Sequence, residues 1–247
     1  MLRKRVVTVL TFNDGILFRT KTFTPDYRYT ANFVDAWSID EIVLLDVTRP
    51  ERRNAELFLS VVTDLSKKCF VPMCVGGGVG NLDDFKRYLD LGADKIAINT
   101  MAIEKPELIT QAAKRFGSQC VVVSIDVRKE GDAYRVYKNC GRDSTDWHPE
   151  DLARRVEELG AGEILLTSID KDGSLEGYNN DLNGRVVESV TIPVIVCGGA
   201  GKWQDFVDGF MLAGADAVAT TNVYHFTEAS IKSAKQYLLK HGLNIRP

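Results

Sequence analysis

Two stretches of the chain, Val71-Pro-Met-Cys-Val-Gly-Gly-Gly-Val-Gly80 and Ile192-Pro-Val-Ile-Val-Cys-Gly-Gly-Ala-Gly201, are versions of one pattern. Each is a short apolar run that ends in consecutive glycines. The likeness continues outward. Asp84-Phe85 falls on Asp205-Phe206, and Gly92-Ala-Asp-Lys-Ile-Ala-Ile-Asn-Thr falls on Gly214-Ala-Asp-Ala-Val-Ala-Thr-Thr. Upstream, Asp40-Glu-Ile-Val-Leu-Leu matches Gly162-Glu-Ile-Leu-Leu-Thr. The offset is 121 or 122 residues throughout, about half of the 247-residue chain. Three matches in one order at one offset indicate an internal repeat with an approximate two-fold axis.

The unit that repeats is a set of strands and helices. Eight apolar runs read as strands: Val6–Leu10, Glu41–Asp46, Met73–Val75, Lys95–Asn99, Val121–Asp126, Glu163–Ser168, Val194–Val196 and Ala217–Thr220. Each is nearly continuous in β-branched residues or Leu, as expected of parallel strands buried on both faces. Segments such as Asn54–Lys67, Leu82–Leu91, Pro106–Phe116, Pro149–Leu159, Leu182–Ser189 and Gln204–Leu212 lie between them with helical spacing. Strict alternation means a parallel sheet. Eight units in about 250 residues is the arithmetic of a (β/α)8 barrel, with a doubly wound open sheet as the competing arrangement. No Pro/Gly/Ser linker divides the chain. The expectation is one barrel over residues 1–247, with half-barrels of about 1–120 and 121–247.

Composition narrows the function classes. With 45% hydrophobic, 26% charged and 9% aromatic residues, the chain has ordinary globular usage. A net charge of −3 argues against a nucleic-acid-binding surface. No apolar run approaches the roughly 18–20 residues of a membrane span, and the basic start, Met1-Leu-Arg-Lys-Arg, is not followed by a signal-like apolar stretch. Five cysteines without paired spacing, and His148, His225 and His241 without ligand spacing, read as reduced thiols and no metal site, in a cytoplasmic protein. No cofactor motif is present. His225 and His148 read as helix-start residues, and Trp37, Trp147 and Trp203 as packing residues.

In a barrel the chemistry lies at the C-terminal strand ends. Gly76-Gly77-Gly78 follows the third strand and Gly198-Gly199 follows the seventh. The strand after each ends in small polar residues, Asn99-Thr100 and Thr220-Thr221-Asn222. Glycines let backbone N–H groups approach an anion, so two phosphate pockets facing each other are expected, with Asp172-Gly173 contributing to the second. The alternative is tight turns without a ligand. Asp126 closes the fifth strand and Asp46 the second. Both are general acid/base candidates, with loop bracing as the competing role, weighed more heavily for Asp46. The repeat aligns Asp126 with Thr11, so a carboxylate is missing from the opposed position. Arg5, Glu41, Lys95 and Glu163 open strands one, two, four and six. They form either a paired ring at the barrel bottom, acting as plug or gate, or four solvated charges.

Taken together, Met1-Leu-Arg-Lys-Arg, Asp14-Gly15, the two glycine motifs, Arg115-Phe-Gly-Ser-Gln, Gly160-Ala-Gly-Glu-Ile-Leu-Leu-Thr-Ser-Ile-Asp-Lys-Asp-Gly and the closing Leu-Lys-His-Gly-Leu-Asn-Ile-Arg resemble the HisF family over essentially the whole chain. HisF proteins are the cyclase subunits of imidazole glycerol phosphate synthase. The resemblance implies association with a HisH-type glutaminase, whose ammonia passes through the barrel. It makes Arg5, Glu41, Lys95 and Glu163 an ammonia gate. It assigns Gly78, Asn99 and Thr100 to one phosphate site and Asp172, Gly173, Gly199, Thr221 and Asn222 to the other. Asp126 matches the second catalytic aspartate, and Thr11 stands where the first belongs. Asp46, Arg19 and Thr167 are expected at the substrate pocket.

The departures gather at the substrate end: Thr11, Arg19 in place of the family's usual Lys, Cys140 in place of Ser, and a shorter Tyr27–Trp37 segment. With the gate retained, this resembles the HisF-like paralogues of glycan amidation (the WbuZ type). The expected function is therefore channelling of ammonia toward a sugar or nucleotide-sugar, with a separate sugar amidotransferase as a further partner and a phosphorylated small molecule as ligand. The alternatives are an authentic cyclase of histidine biosynthesis and a non-catalytic activator of the glutaminase.

Overall fold

A computed structural model describes residues 3–21, 24–26, 39–67, 69–220 and 231–246, with the backbone alone for 16–21, 24–26 and 231. Eight parallel strands close into a barrel in the order β1 (Arg5–Asn13), β4 (Glu41–Asp46), β5 (Met73–Gly76), β6 (Lys95–Ile98), β7 (Val121–Glu130), β10 (Glu163–Ser168), β11 (Val194–Cys197) and β12 (Ala217–Thr220), which pairs back onto β1. The closed ring of pairings excludes the open doubly wound sheet. Helices α1 (Ala55–Ser66), α2 (Leu82–Asp90), α4 (Glu107–Phe116), α5 (Pro149–Glu158), α6 (Asn180–Ser189), α7 (Trp203–Met211) and α8 (Ile231–Lys240) follow strands in turn, with a short α3 (Thr100–Glu104) ahead of α4.

The strands read as continuous apolar runs because both of their faces are buried. One set of side chains fills the barrel: Val7, Val9, Val43, Cys74, Ala97, Val122, Leu165, Ile195, Ala217 and Ala219. The intervening residues join the helices in a second, larger cluster. Period-two alternation assigns each strand residue to one cluster or the other. On β7 this puts Val122, Ser124 and Asp126 inward, and on β10 it puts Glu163, Leu165 and Thr167 inward.

Residues aligned by the repeat make the same local bonds. Asp84 Oδ2 accepts from the Gly80 N–H at 2.8 Å, and Asp205 Oδ2 accepts from the Gly201 N–H at 2.8 Å. Asp94 Oδ2 accepts from Met73 N and Asp216 Oδ2 from Val194 N. Phe85 and Phe206 are both fully buried beneath these turns. Asp84 and Asp205 each tie a helix start to the glycine before it, and Asp94 and Asp216 each tie one strand start to the neighbouring strand, so the repeated letters encode the same local braces.

The structure adds elements that the alternating pattern did not predict. β1 runs on past Leu10 and turns into an antiparallel hairpin with β2 (Ile16–Lys21), which pairs with β3 (Thr24–Asp26). β7 runs on past Asp126 and pairs with β8 (Ala133–Lys138), which pairs with β9 (Asp143–Ser144). These pairings are antiparallel and lie outside the parallel ring, and β8 and β9 lack the continuous burial by which barrel strands are recognised. Both extensions leave the barrel at its C-terminal end.

Candidate functional site

The two ends of the barrel interior differ in chemistry. At the end where strands begin, Arg5, Glu41, Lys95 and Glu163 form a closed ring. Arg5 Nη1 lies 2.5 Å from Glu41 Oε2, and Arg5 Nη2 pairs with Glu163 Oε1. Lys95 Nζ lies 2.8 Å from Glu41 Oε1 and 2.7 Å from Glu163 Oε2. Each cation spans both carboxylates, and each carboxylate gives one oxygen to each cation. The glutamate side chains are nearly inaccessible, and the Arg5 and Lys95 side chains are 24% and 19% exposed. Burial opposes the charge of Lys95, but Glu163 and Glu41 outweigh it and hold the ammonium above its ordinary pKa. Arg5 is raised through the same balance. Glu41 is raised by burial and by Glu163, against Lys95 and Arg5. Of the two arrangements expected, the structure shows the mutually paired ring.

Beyond the ring the interior is lined by apolar side chains, among them Val7, Val9, Val43, Ala97, Leu165 and Ala219. Cys74 is fully buried, and its thiol is pushed well up by burial and by Glu41. Asp126 stands at the other end, 8% exposed. Val122 is in register with Glu163, and Asp126 with Thr167. Ring and carboxylate are thus four residues apart, roughly 13 Å along the strand. Burial pushes the Asp126 carboxyl up to about 7, with a hydrogen bond from Ser124 opposing and Asp172 adding to the rise. The Ser124 hydroxyl donates to Asp126 Oδ1 at 3.1 Å. A carboxyl that titrates near neutrality suits general acid/base work. Removing the Ser124 hydroxyl removes a bond that favours the charged form. Ser124→Ala is therefore expected to move the Asp126 titration, followed by carboxyl carbon NMR, to higher pH; a shift to lower pH would contradict this reading.

Thr11, on β1 across the barrel from β7, is 9% exposed. Thr167 hydrogen-bonds to Cys197, whose thiol burial raises to about 12, with Asp172 and Asp126 contributing. Thr167, Cys197, Asp126 and Asp172 therefore share one side of the mouth. Asp172 is itself buried. Gly173, at φ +67°, follows it, and Gly199, at φ +115°, packs so tightly that a Cβ there would lie 2.1 Å from the Gly177 carbonyl oxygen. Thr221, Asn222 and His225 lie outside the described residues, as does the Tyr27–Trp37 segment. Arg19 is placed by its backbone alone, opposite Asp26 in the β2–β3 register.

On the other side of the mouth, Asn99 follows β6, and its Nδ2 donates to the carbonyls of Ser124 and Tyr137. Thr100 Oγ1 accepts from Asn139 N at 3.1 Å. Both side chains tie β6 to the β7–β8 hairpin. Asn139 and Cys140, at the end of that hairpin, take φ values of +53° and +55°, which non-glycine residues seldom adopt. The Cys140 thiol is raised by burial and by Asp126, against Arg142 and Arg53. Asp46 is 3% exposed and fully engaged. It accepts from Thr48 N at 2.9 Å and lies 3.1 Å from Arg53 Nε. Its partner sits seven residues downstream, beyond the strand, so inspection of the strand alone missed it.

Ser124 and Arg53 are thus the site residues that sequence reading passed over. The period-two placement of Ser124 below Asp126 was available as a signal. Nothing comparable marked Arg53. Among the described residues no group of three or more His, Cys, Asp or Glu side chains could hold a metal ion. No described helix is long and apolar enough to cross a membrane.

Comparison with known proteins accords with this architecture. The family model described as "Histidine biosynthesis protein" matches residues 4–230. The chain belongs to this family. Its curated relatives include "Imidazole glycerol phosphate synthase subunit HisF" of Clostridium botulinum (strain Langeland), 43% identical with both chains covered in full. Proteins of the same name from Halalkalibacterium halodurans and Bacillus velezensis are 40% and 39% identical, again over the whole of each chain. Within the histidine biosynthesis family the chain is therefore HisF-like, and the barrel expected from its repeat is the one observed.

Proposed function

We propose that this chain is the synthase subunit of an imidazole glycerol phosphate synthase complex. In this reading a HisH-type glutaminase docks at the ring end, and ammonia passes up the barrel to a phosphorylated acceptor at Asp126. The carrying observation is that one continuous interior has a paired ring of four charges at one end and a near-neutral carboxyl at the other. Between them the walls are apolar, which suits neutral ammonia and opposes ammonium, whose charge would be costly to desolvate. The names of the relatives favour this role over one in glycan amidation.

The ring end also has the character of a docking face. Phe70 precedes β5, and Met211 and Leu212 precede β12, so all three lie where strands begin. They are 73%, 64% and 69% exposed, the highest values among the described large apolar side chains. Such residues grouped at one end suit a protein partner.

The test is turnover of the ribulosyl bisphosphate precursor with ammonium chloride and no glutaminase. Formation of the imidazole product supports the synthase reading, and its absence defeats it. A second reading is favoured by one observation: Thr11 occupies the wall opposite Asp126, and a hydroxyl does not accept protons near neutral pH unaided. Under that reading the acceptor is a sugar or nucleotide-sugar, served with a separate sugar amidotransferase. Thr11→Asp then raises turnover of the bisphosphate at least about tenfold over the parent protein; no gain counts against it. A chain that only activated its glutaminase would deliver no ammonia, and Glu163→Ala would leave glutamine-dependent product formation unchanged.

A further inference from the structure

We propose that Arg53 is the cationic ligand of a phosphate monoester bound at the Gly77–Gly78 turn, and that Asp46 holds it in place. This deepens the reading of a phosphorylated acceptor and rests on it. The argument begins with why residue 78 is glycine. Its φ is +70°, and a Cβ built there would lie 2.3 Å from Arg53 Nη1. The guanidinium rests directly against the turn, and any side chain at residue 78 would displace it. Gly77, at φ +104°, is excluded from carrying a side chain for a different reason: its Cβ would lie 2.1 Å from the carbonyl oxygen of Asp46. The two glycines thus press the turn against Asp46 on one side and Arg53 on the other.

The three guanidinium nitrogens have separate tasks. Nε lies 3.1 Å from Asp46 Oδ2. Nη2 donates to the Thr48 carbonyl oxygen at 2.9 Å. Nη1, the nitrogen beside Gly78, makes no hydrogen bond with any described residue. The Asp46 ion pair and the Nη2 hydrogen bond place the group, although the buried Nε–H itself has no hydrogen-bond partner among the described residues, and Nη1 is presented at the glycine turn with no partner among the described residues. The backbone is fixed as well. Arg53 N–H donates to the Pro50 carbonyl at the end of a single 3-10 turn, and Asn54 caps α1 through Leu57 N. A planar group placed by one ion pair and one hydrogen bond offers fixed N–H directions to a phosphate oxygen, which a lysine ammonium does not.

The experiment uses the whole chain with glycine labelled with nitrogen-15 and titrates it with glycerol 3-phosphate, glycerol serving as control. The Gly78 amide is expected to shift saturably with the phosphate and not with glycerol. Arg53→Gln is expected to weaken that isotherm about tenfold or more. Arg53→Lys, which keeps the charge, is expected to recover only part of the loss, because one ammonium cannot face Asp46, the Thr48 carbonyl and a phosphate together. Asp46→Asn is expected to weaken binding as well. Unchanged Gly78 affinity in Arg53→Gln would overturn the role of Arg53 while leaving a phosphate site standing. Absence of any saturable Gly78 shift in the parent protein would remove the phosphate site and this proposal with it.

Discussion

Asp126→Asn is expected to lower ammonium-dependent turnover by about 10²–10⁴-fold and, at the same time, to stabilise the protein above neutral pH. The two effects have one cause. Asp126 is buried at the barrel mouth, and burial pushes its carboxyl up from the ordinary 3.8 to about 7. Near neutrality it exchanges a proton readily; an amide cannot. Asn keeps a side-chain oxygen for Ser124, so the site's shape persists while its acid/base function is lost.

The stability effect follows from linkage. The folded pKa lies above the unfolded one, so the relative stabilisation is complete below about pH 4 and is lost as pH rises through 7. Above pH 7 the parent protein carries the full cost of a buried carboxylate, at most about 4 kcal/mol by the size of the shift. Asp126→Asn carries no such cost. Thermal melts from pH 4 to 9 should show the variant gaining on the parent between pH 4 and 7, then holding a constant lead. Parallel pH profiles would place Asp126 in a solvated environment and remove it as the neutral-pH acid or base.

Lys95→Met is expected to cost about 3–5 kcal/mol, because it breaks a buried ion network on one side only. Lys95 bonds Glu41 at 2.8 Å and Glu163 at 2.7 Å, and both glutamates are nearly inaccessible. Without it, two carboxylates share Arg5 alone. Glu41 is already held above its ordinary pKa by burial and by Glu163, so loss of a cation drives it further upward. The destabilisation should therefore shrink as pH falls and a carboxylate takes a proton. For a chain of this length the cost corresponds to a drop in melting temperature of roughly 6–20 °C. Lys95→Met combined with Glu163→Gln, which restores a balance of one cation to one anion, should recover much of that loss. A single variant that melts with the parent would mean that the ring holds enough water to screen its charges.

Much of the architecture was legible because it is written locally. Continuous apolar runs mark strands buried on both faces, and alternation with helical spacing forces parallel pairing. The repeat carried more than topology: Asp84 and Asp205, aligned by letters alone, cap equivalent turns through the same atoms. Strand-end position also marked Asp126 as the carboxyl at the mouth. The β2–β3 and β8–β9 pairings were not legible in the alternation of strands and helices, because they are antiparallel additions outside the parallel ring.

The site was only half readable for a related reason. Sequence offered Arg5, Glu41, Lys95 and Glu163 as four charges at strand starts, equally compatible with solvation. Barrel closure decided for the ring, because it brings residues up to 158 positions apart within hydrogen-bonding reach. Asp46 ends a strand as Asp126 does, yet Arg53 ties it into the loop, while Asp126 has Ser124 below it and is raised by burial, with Asp172 adding. What the sequence by itself determined was the order of strands and helices, their repeat, and which residues stand at each barrel end. Those follow from periodicity and from chain direction. Which charges pair, which carboxyl has no cation among the described residues, and which guanidinium lies over a glycine turn were decided only by tertiary structure. Those outcomes depend on distances between chain segments that no local pattern encodes.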